Sequence, residues 1–370
     1  MLTDRVRFHA FTEALRRTVK PGSVVLDIGT GPGIMALLAC RFGARKVYAI
    51  ESEAVIHVAR EIAASNGLSG KIEFIEGLST RVSLPERVDV IVSDLNGILP
   101  WYQQHLPSIA DARRRFLAPG GTMIPKKEIV WLGVVEASQA YAAHVEPWET
   151  GHGFDMRAAR DLATNSAQKV HLQPEAMLAA PQCGMVLDMN VVEDPNSSAD
   201  VNFVVTRPGL GHGVLVWSDY VLTDEVSFSN GPARPKSIYG QIFLPWTRPV
   251  ELESGDAVNI KLRCNLLGGD YVFRWSTEAV GRKTDVTARF EQSEFHSFPI
   301  SPPFLRKGAE TYLPRCNGEG SIDRFILASM DGEAAVREIA VRLSERFPDH
   351  FKAPSDALDR VARISRVYSE

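Results

Sequence analysis

The sequence predicts an α/β fold: a Rossmann-like domain, then an antiparallel β-barrel, then a small helical module of winged-helix-like pattern. Three observations predict it. Over residues 1–125 short apolar runs alternate with stretches of helical spacing; over about 129–280 the segments are short, rich in Val, Phe, Trp and Tyr, and divided by Gly, Pro and Asn; over 321–368 apolar residues return at intervals of three and four.

In the first region SVVLDI (23–28) is a bulky strand that stops at a glycine cluster, and residues 34–42 resume with helical spacing. Residues 46–50 (KVYAI), 72–75 and 88–92 (VDVIV) read as the next strands, with a helix over 55–64. Strands separated by helices of this length pair in parallel through right-handed crossovers. After Pro125 the clearest strands are 201–206, 213–220, 237–244, 257–262 and 271–275, a pattern that favours a closed antiparallel architecture. Residues 147–163 look partly helical and are expected to project from the barrel. The stretch 281–310, with FPISPPF, reads as a linker. Ile322, Phe325, Ile326, Val336, Ile339, Ala340 and Leu343, then Leu358, Val361 and Ile364, mark the final helices. The expected domains are therefore 1–125, 126–280 and 311–370, joined by a linker at 281–310.

Composition narrows the function. The 370 residues carry 41 basic and 45 acidic side chains, net −4, which supplies no field for nucleic acid. No run approaches the roughly 18 apolar residues of a membrane span, and the N-terminus lacks the basic-then-apolar layout of a secretory signal. The four cysteines (Cys40, Cys183, Cys264, Cys316) are far apart, with no CxxC, which leaves no disulfide framework and no metal site. A cytoplasmic, multi-domain protein is the expectation.

The chemistry centres on Asp27, Gly29, Gly31 and Gly33, between the first strand and the first helix. Glycines there let the backbone turn sharply and approach a ligand. A bare GxGxG would also serve a dinucleotide. Three features point elsewhere: Asp27 suits a cationic ligand, Glu51 ends the second strand where a carboxylate accepts from ribose hydroxyls, and Gly77, Leu78, Ser79 and Thr80 follow the third strand where an adenine edge would lie. Together they describe S-adenosylmethionine, and so a class I methyltransferase domain.

Over about residues 1–280 the order of motifs resembles the protein arginine methyltransferases: MLTDRVR (1–7), the glycine loop, Glu51, residues 77–80, RRFLAPGGTMIPKKEIVWLGVV (114–135), the turn to a barrel at Pro125, GFDM (153–156) and GQIF (240–243). The resemblance implies that Arg7 pairs with the cofactor carboxylate and that GFDM belongs to a dimerisation arm, hence a homodimer. It also implies two glutamates on the loop after the fourth strand, gripping a substrate guanidinium; Asp94 and Gln103 stand at those places here, and Ile238 stands where the family has a loop histidine. Asp94 is the expected group that orients or deprotonates the accepting nitrogen, its plain alternative being a cap on the next turn. Gln103 is its partner, and Asn96, His105 and Tyr239 are expected substrate-binding wall residues. His9 and His212 read as structural or exposed.

MDGEAAVREIAVRLSERF (330–347) is similar to the small PqqD-type peptide-binding modules, which implies a peptide or protein substrate; a helical cap is the alternative. Three readings stand: N-methylation of a protein or peptide side chain, methylation of a small amine or guanidine metabolite, and a cofactor-binding scaffold.

Overall fold

The strand β1 (Val24–Ile28) is buried along its whole length, as a central strand covered on both faces must be. In the computed structural model, which describes residues 3–149, 153–235, 237–282, 285–297 and 301–369, β1 lies between β2 (Lys46–Glu51) and β4 (Val88–Ser93). With β3 (Ile72–Glu76) and β5 (Leu117–Ile124) they form a parallel sheet of order β3-β2-β1-β4-β5. Alternate residues of one strand face opposite layers. Val25, Val90 and Val92 pack with residues of α1 (Arg5–Thr18) and α2 (Ile34–Arg41), whereas Leu26 and Ile91 share a core with α4 (His105–Phe116). The helix α3 (Val55–Ser65) follows β2. The strand order reverses between β1 and β4, which places the ligand crevice beyond their carboxyl ends.

Past Pro125 the chain enters two antiparallel sheets. In one, β7 (Gln168–Val170), β12 (Gln241–Leu252), β10 (Gly209–Val221), β6 (Lys127–Val135) and β8 (Gln182–Asp188) pair in that order, with β11 (Ser227–Ser229) on β10. In the other the order is β15 (Val286–Ser293), β14 (Asp270–Val280), β13 (Ala257–Leu267) and β9 (Ser197–Val204). Trp246, Trp275, Phe203 and Ile260 are buried in the core they share. Two bonds tie polar groups in it: Trp275 Nε1 donates to Gln292 Oε1 at 3.0 Å within the second sheet, and Gln292 Nε2 donates across to Pro245 O of the first at 2.8 Å.

The structure differs from expectation in three places. The supposed linker contains β15, whose Ala288, Phe290 and Gln292 point inward while Arg289 and Glu291 stay out; the alternation of period two was present but lay between Gly281 and a proline-rich stretch. Residues 237–240 are not strand, because Gly240 turns with φ +63° before β12 begins. Helix α6 (Arg157–Thr164), after α5 (Ser138–His144), is tied to the barrel rather than projecting: Arg160 bonds to Thr247 O and to Glu149 Oε1, the latter at 2.7 Å. Residues 1–2 of the N-terminal motif, 150–152 before the GFDM segment and 298–300 of FPISPPF lie outside the described residues.

The chain divides into two compact units, residues 1–298 and 299–370. In the second, α7 (Pro302–Lys307) precedes α8 (Gly318–Ala328), α9 (Val336–Arg346) and α10 (Pro354–Tyr368). The last three bury Ile322, Ile326, Ile339, Leu343 and Val361, and Asn317 caps α8 by accepting from Gly320 N at 2.8 Å. No strand occurs among the described residues of this unit, so the winged-helix-like form finds no wing there. Among the described residues no helix is long and apolar enough to cross a membrane.

Candidate active site

At the carboxyl end of β1, Gly29, Gly31 and Gly33 all take positive φ, from +53° to +86°. A Cβ added at Gly29 would lie 2.2 Å from Leu95 Cδ2, so this position admits only glycine without rearrangement. Asp27 sits beneath the loop rather than facing a ligand. It accepts from Thr30 Oγ1 at 2.5 Å and from Ala36 N at 3.0 Å, fastening the loop to the first turn of α2, and burial raises its carboxyl to about 7. Glu51 ends β2 and accepts from Gly31 N at 2.9 Å and Glu53 N at 3.0 Å, one bond per oxygen, which leaves lone pairs for hydroxyl donors.

Glu51, Gly29, Ser79, Leu95, Gln103 and His105 help line one cavity. Ser79 is buried there, whereas Thr80 is exposed and outside the lining. Gly31 and Gly33 shape the loop without lining the cavity. Apolar walls from Ile28, Ile50, Leu78 and Leu95 beside a carboxylate fit a nucleoside. The open volume is about 150 Å³, below the roughly 300 Å³ at which small-molecule sites begin. The exposed residues 102–104 form one wall of it.

The acceptor end lies where β4 runs out. Helix α1 begins at its cap Asp4, which accepts from Arg7 N at 3.2 Å and also from Ile238 N at 3.2 Å, pinning the 237–239 loop to the helix. Arg7 is directed at Asp94, not held free for a cofactor carboxylate: Nε donates to Asp94 Oδ1 at 2.9 Å and Nη2 bonds to Oδ2. Burial raises the Asp94 carboxyl to about 6, against the downward pull of Arg7. The Arg7 guanidinium stands 4.6 Å from the Tyr239 ring centroid, and Tyr239 donates its hydroxyl to Asn96 O at 3.0 Å. Arg7, Asp94, Asn96 and Tyr239 are thus brought together. Gln103, the expected partner of Asp94, is exposed, at φ +44°, with Nε2 3.4 Å from the Tyr102 hydroxyl.

Sequence reasoning missed Glu128 on β6. It is fully buried and accepts from Asn96 Nδ2 at 2.5 Å, and burial pushes its carboxyl up to about 8. His105 opens α4 with Nε2 4.0 Å from Glu128 Oε1, and burial lowers the imidazole to about 4. Glu128, Val130, Leu132 and Val134 form the inward face of the strand, and a lone acid on such a face is the signal that was available.

Comparison with known proteins decides the family. Residues 10–125 match the family model described as ribosomal protein L11 methyltransferase (PrmA), and residues 126–278 match the arginine methyltransferase oligomerization subdomain. Protein arginine N-methyltransferase 6 of Xenopus tropicalis is 30% identical over 270 residues, which cover 68% of this chain and 78% of that protein. The chain belongs to the protein arginine N-methyltransferase family. Protein arginine N-methyltransferase 1 of Dictyostelium discoideum is 27% identical over 272 residues, 71% of this chain and 80% of that one. Among solved structures, the Trypanosoma brucei PRMT1 enzyme-prozyme heterotetrameric complex with AdoHcy matches with a TM-score of 0.73 at 24% identity, covering 79% of this chain and 95% of that chain. Arabidopsis thaliana protein arginine methyltransferase 10 matches with a TM-score of 0.70 at 23% identity over the same shares. Family and fold agree over the first unit; the matched family models stop at residue 278, short of α8–α10.

Proposed function

We propose that this methyltransferase moves a methyl group from S-adenosylmethionine to a side-chain nitrogen of a protein or peptide, with arginine as the acceptor its family implies. The observation that carries the reading is adjacency: Asp94 directly follows β4 at the reversal of strand order, and its neighbour Leu95 lines the glycine-loop cavity. Bound there, S-adenosylmethionine supplies an electrophilic methyl on a sulfonium. Glu51 would hold the ribose hydroxyls, residues 77–79 the adenine edge, and Gly29 the close backbone approach. Asp94, fixed by Arg7, orients the accepting nitrogen and takes its proton, so that orientation and exclusion of water supply most of the rate. Asn96, His105 and Tyr239 wall the acceptor, and Asp27, Gly31 and Gly33 hold the loop rather than the ligand.

The test is calorimetric titration with S-adenosylhomocysteine, then labelled-methyl transfer by the same sample into a glycine–arginine repeat peptide and a cell extract. Binding with label in peptide or protein is expected. Label confined to small molecules would replace the reading by a metabolite methyltransferase, and binding without transfer by a scaffold. The helices after residue 311 are proposed as the peptide-recognition module, and with no strand among the described residues there, capture would use a helical face. Ending the chain at residue 298 should then raise KM for protein acceptors; an unchanged KM would make the unit a cap.

A homodimer is the proposed assembly, supported by Phe154, which is 73% exposed in the segment that resembles a dimerisation arm. Phe154→Ala should lower the sedimentation mass toward that of one chain; a wild-type chain that already sediments singly would overturn this. Four cysteines without a disulfide support a cytoplasmic setting.

A further inference from the structure

We propose that Glu128, acting through Asn96, completes the acceptor clamp that Asp94 begins, in the place the sequence reading gave to Gln103. This rests on the methyltransferase reading above.

The first argument is charge. A guanidinium is a planar cation with N–H donors along its edges. Asp94 already answers one cation, since Arg7 holds both of its oxygens. A second buried cation at the same place needs a second carboxylate. Gln103 has no charge and lies on an exposed loop. Glu128 is fully buried, lies close enough to Asp94 for the two charges to repel, and is joined to the Asp94 loop by the 2.5 Å bond from Asn96 Nδ2. Two carboxylates then face two cations, Arg7 and the acceptor, and the charges balance.

The second argument is hydrogen bonding. The large majority of buried side-chain polar atoms in folded proteins have partners. Here Ser93 Oγ, Asn96 Oδ1, Glu128 Oε2 and both ring nitrogens of His105 are buried without one. Three of these residues lie on the Asp94 segment or bond to it, and His105 also lines the cofactor cavity. Asn96 donates from Nδ2 to Glu128 Oε1, which turns its Oδ1 into an acceptor with no donor. A donor-rich acceptor group supplies the missing bonds. Glu128 is thus a positioning residue: it orients Asn96 and provides the balancing charge.

The test uses the full chain and the glycine–arginine peptide. Glu128→Gln keeps the shape and an oxygen for Asn96 but removes the charge. It should reduce kcat/KM roughly tenfold to a hundredfold, the cost of one charged hydrogen bond, mainly through KM. S-adenosylhomocysteine affinity should be unchanged, which also reports that the variant folds. In the double variant Asn96→Asp with Glu128→Gln the carboxylate and the amide trade places, and most of the lost kcat/KM should return. A purely structural Glu128 would show no such recovery. If Glu128→Gln matches wild type, or the double variant is no better than Glu128→Gln, the clamp is overturned while the methyltransferase reading stands. If wild type binds S-adenosylhomocysteine but labels no arginine peptide, the acceptor reading falls and takes the clamp with it.

Discussion

Asp94 is pulled two ways. Burial, together with the nearby Asp4, raises its carboxyl, and Arg7 lowers it, with about 6 as the outcome. Asp27, Glu128 and Tyr239 also interact with it electrostatically. Replacing Arg7 by Ala removes the downward pull, so the carboxyl must rise above 6. The sign follows: if ionised Asp94 takes the acceptor proton, the acid limb of the kcat/KM profile moves to higher pH in Arg7→Ala. A pH–rate profile measures this, and a limb that stays in place would show that Asp94 is not the titrating group. Arg7 was legible only through the family resemblance, which gave it the cofactor carboxylate as its partner. Its actual partner comes from a loop 87 residues away, a contact that no local pattern encodes. Asp27 shows the same limit. Its place before the first glycine was readable, but whether a short acid there faces a ligand or braces the loop depends on Thr30 and the Ala36 amide, which the fold turns toward it.

Elements whose two faces are both buried were the most legible. Strands β1 and β4 are nearly continuous apolar runs, and glycine punctuation marked where each βα unit turns. Barrel strands were found by their centres but not by their ends. β13 and β14 each extend several residues past the expected limits, because the residues beyond, such as Arg263, Asn265, Ser276 and Glu278, are polar and carry no apolar signal. β15 was missed for that reason and because its neighbours suggested a linker. The 237–239 loop is the opposite case. Its Ile and Tyr looked like strand, yet the turn at Gly240 and the bond from Ile238 N to Asp4 make it part of the acceptor wall. That tether binds the start of α1 to the barrel, so the acceptor end is built from three segments distant in sequence.

At the scale of the whole first unit, the site is the seam where the parallel sheet meets the barrel, and the seam holds ionisable groups that folding takes out of water. Glu128 and His105 face one another there, with Asp94, Tyr220 and Tyr239 around them. Their effects on stability have opposite signs. Glu128 rises from the ordinary 4.5 to about 8, so the folded chain keeps its proton more tightly than the unfolded one; that contribution is complete below 4.5 and is lost as pH rises through 8. His105 falls from 6.5 to about 4, so its neutral form is favoured in the fold, and its contribution is present above 6.5 and lost as pH falls toward 4. Between about 4.5 and 6.5 the two slopes oppose each other, and above 6.5 the Glu128 slope acts alone, at most about 1.4 kcal/mol per pH unit. Glu128→Gln holds position 128 neutral at every pH. Its melting temperature, measured from pH 5 to 9 beside that of wild type, should therefore gain on wild type steadily up to about pH 8 and then run parallel to it. Other buried acids, Asp27 among them, are common to both proteins and cancel in the difference. Parallel curves throughout would mean that Glu128 is ionised in the resting fold. The clamp would then already carry its charge before the acceptor arrives, instead of releasing a proton as the cation enters.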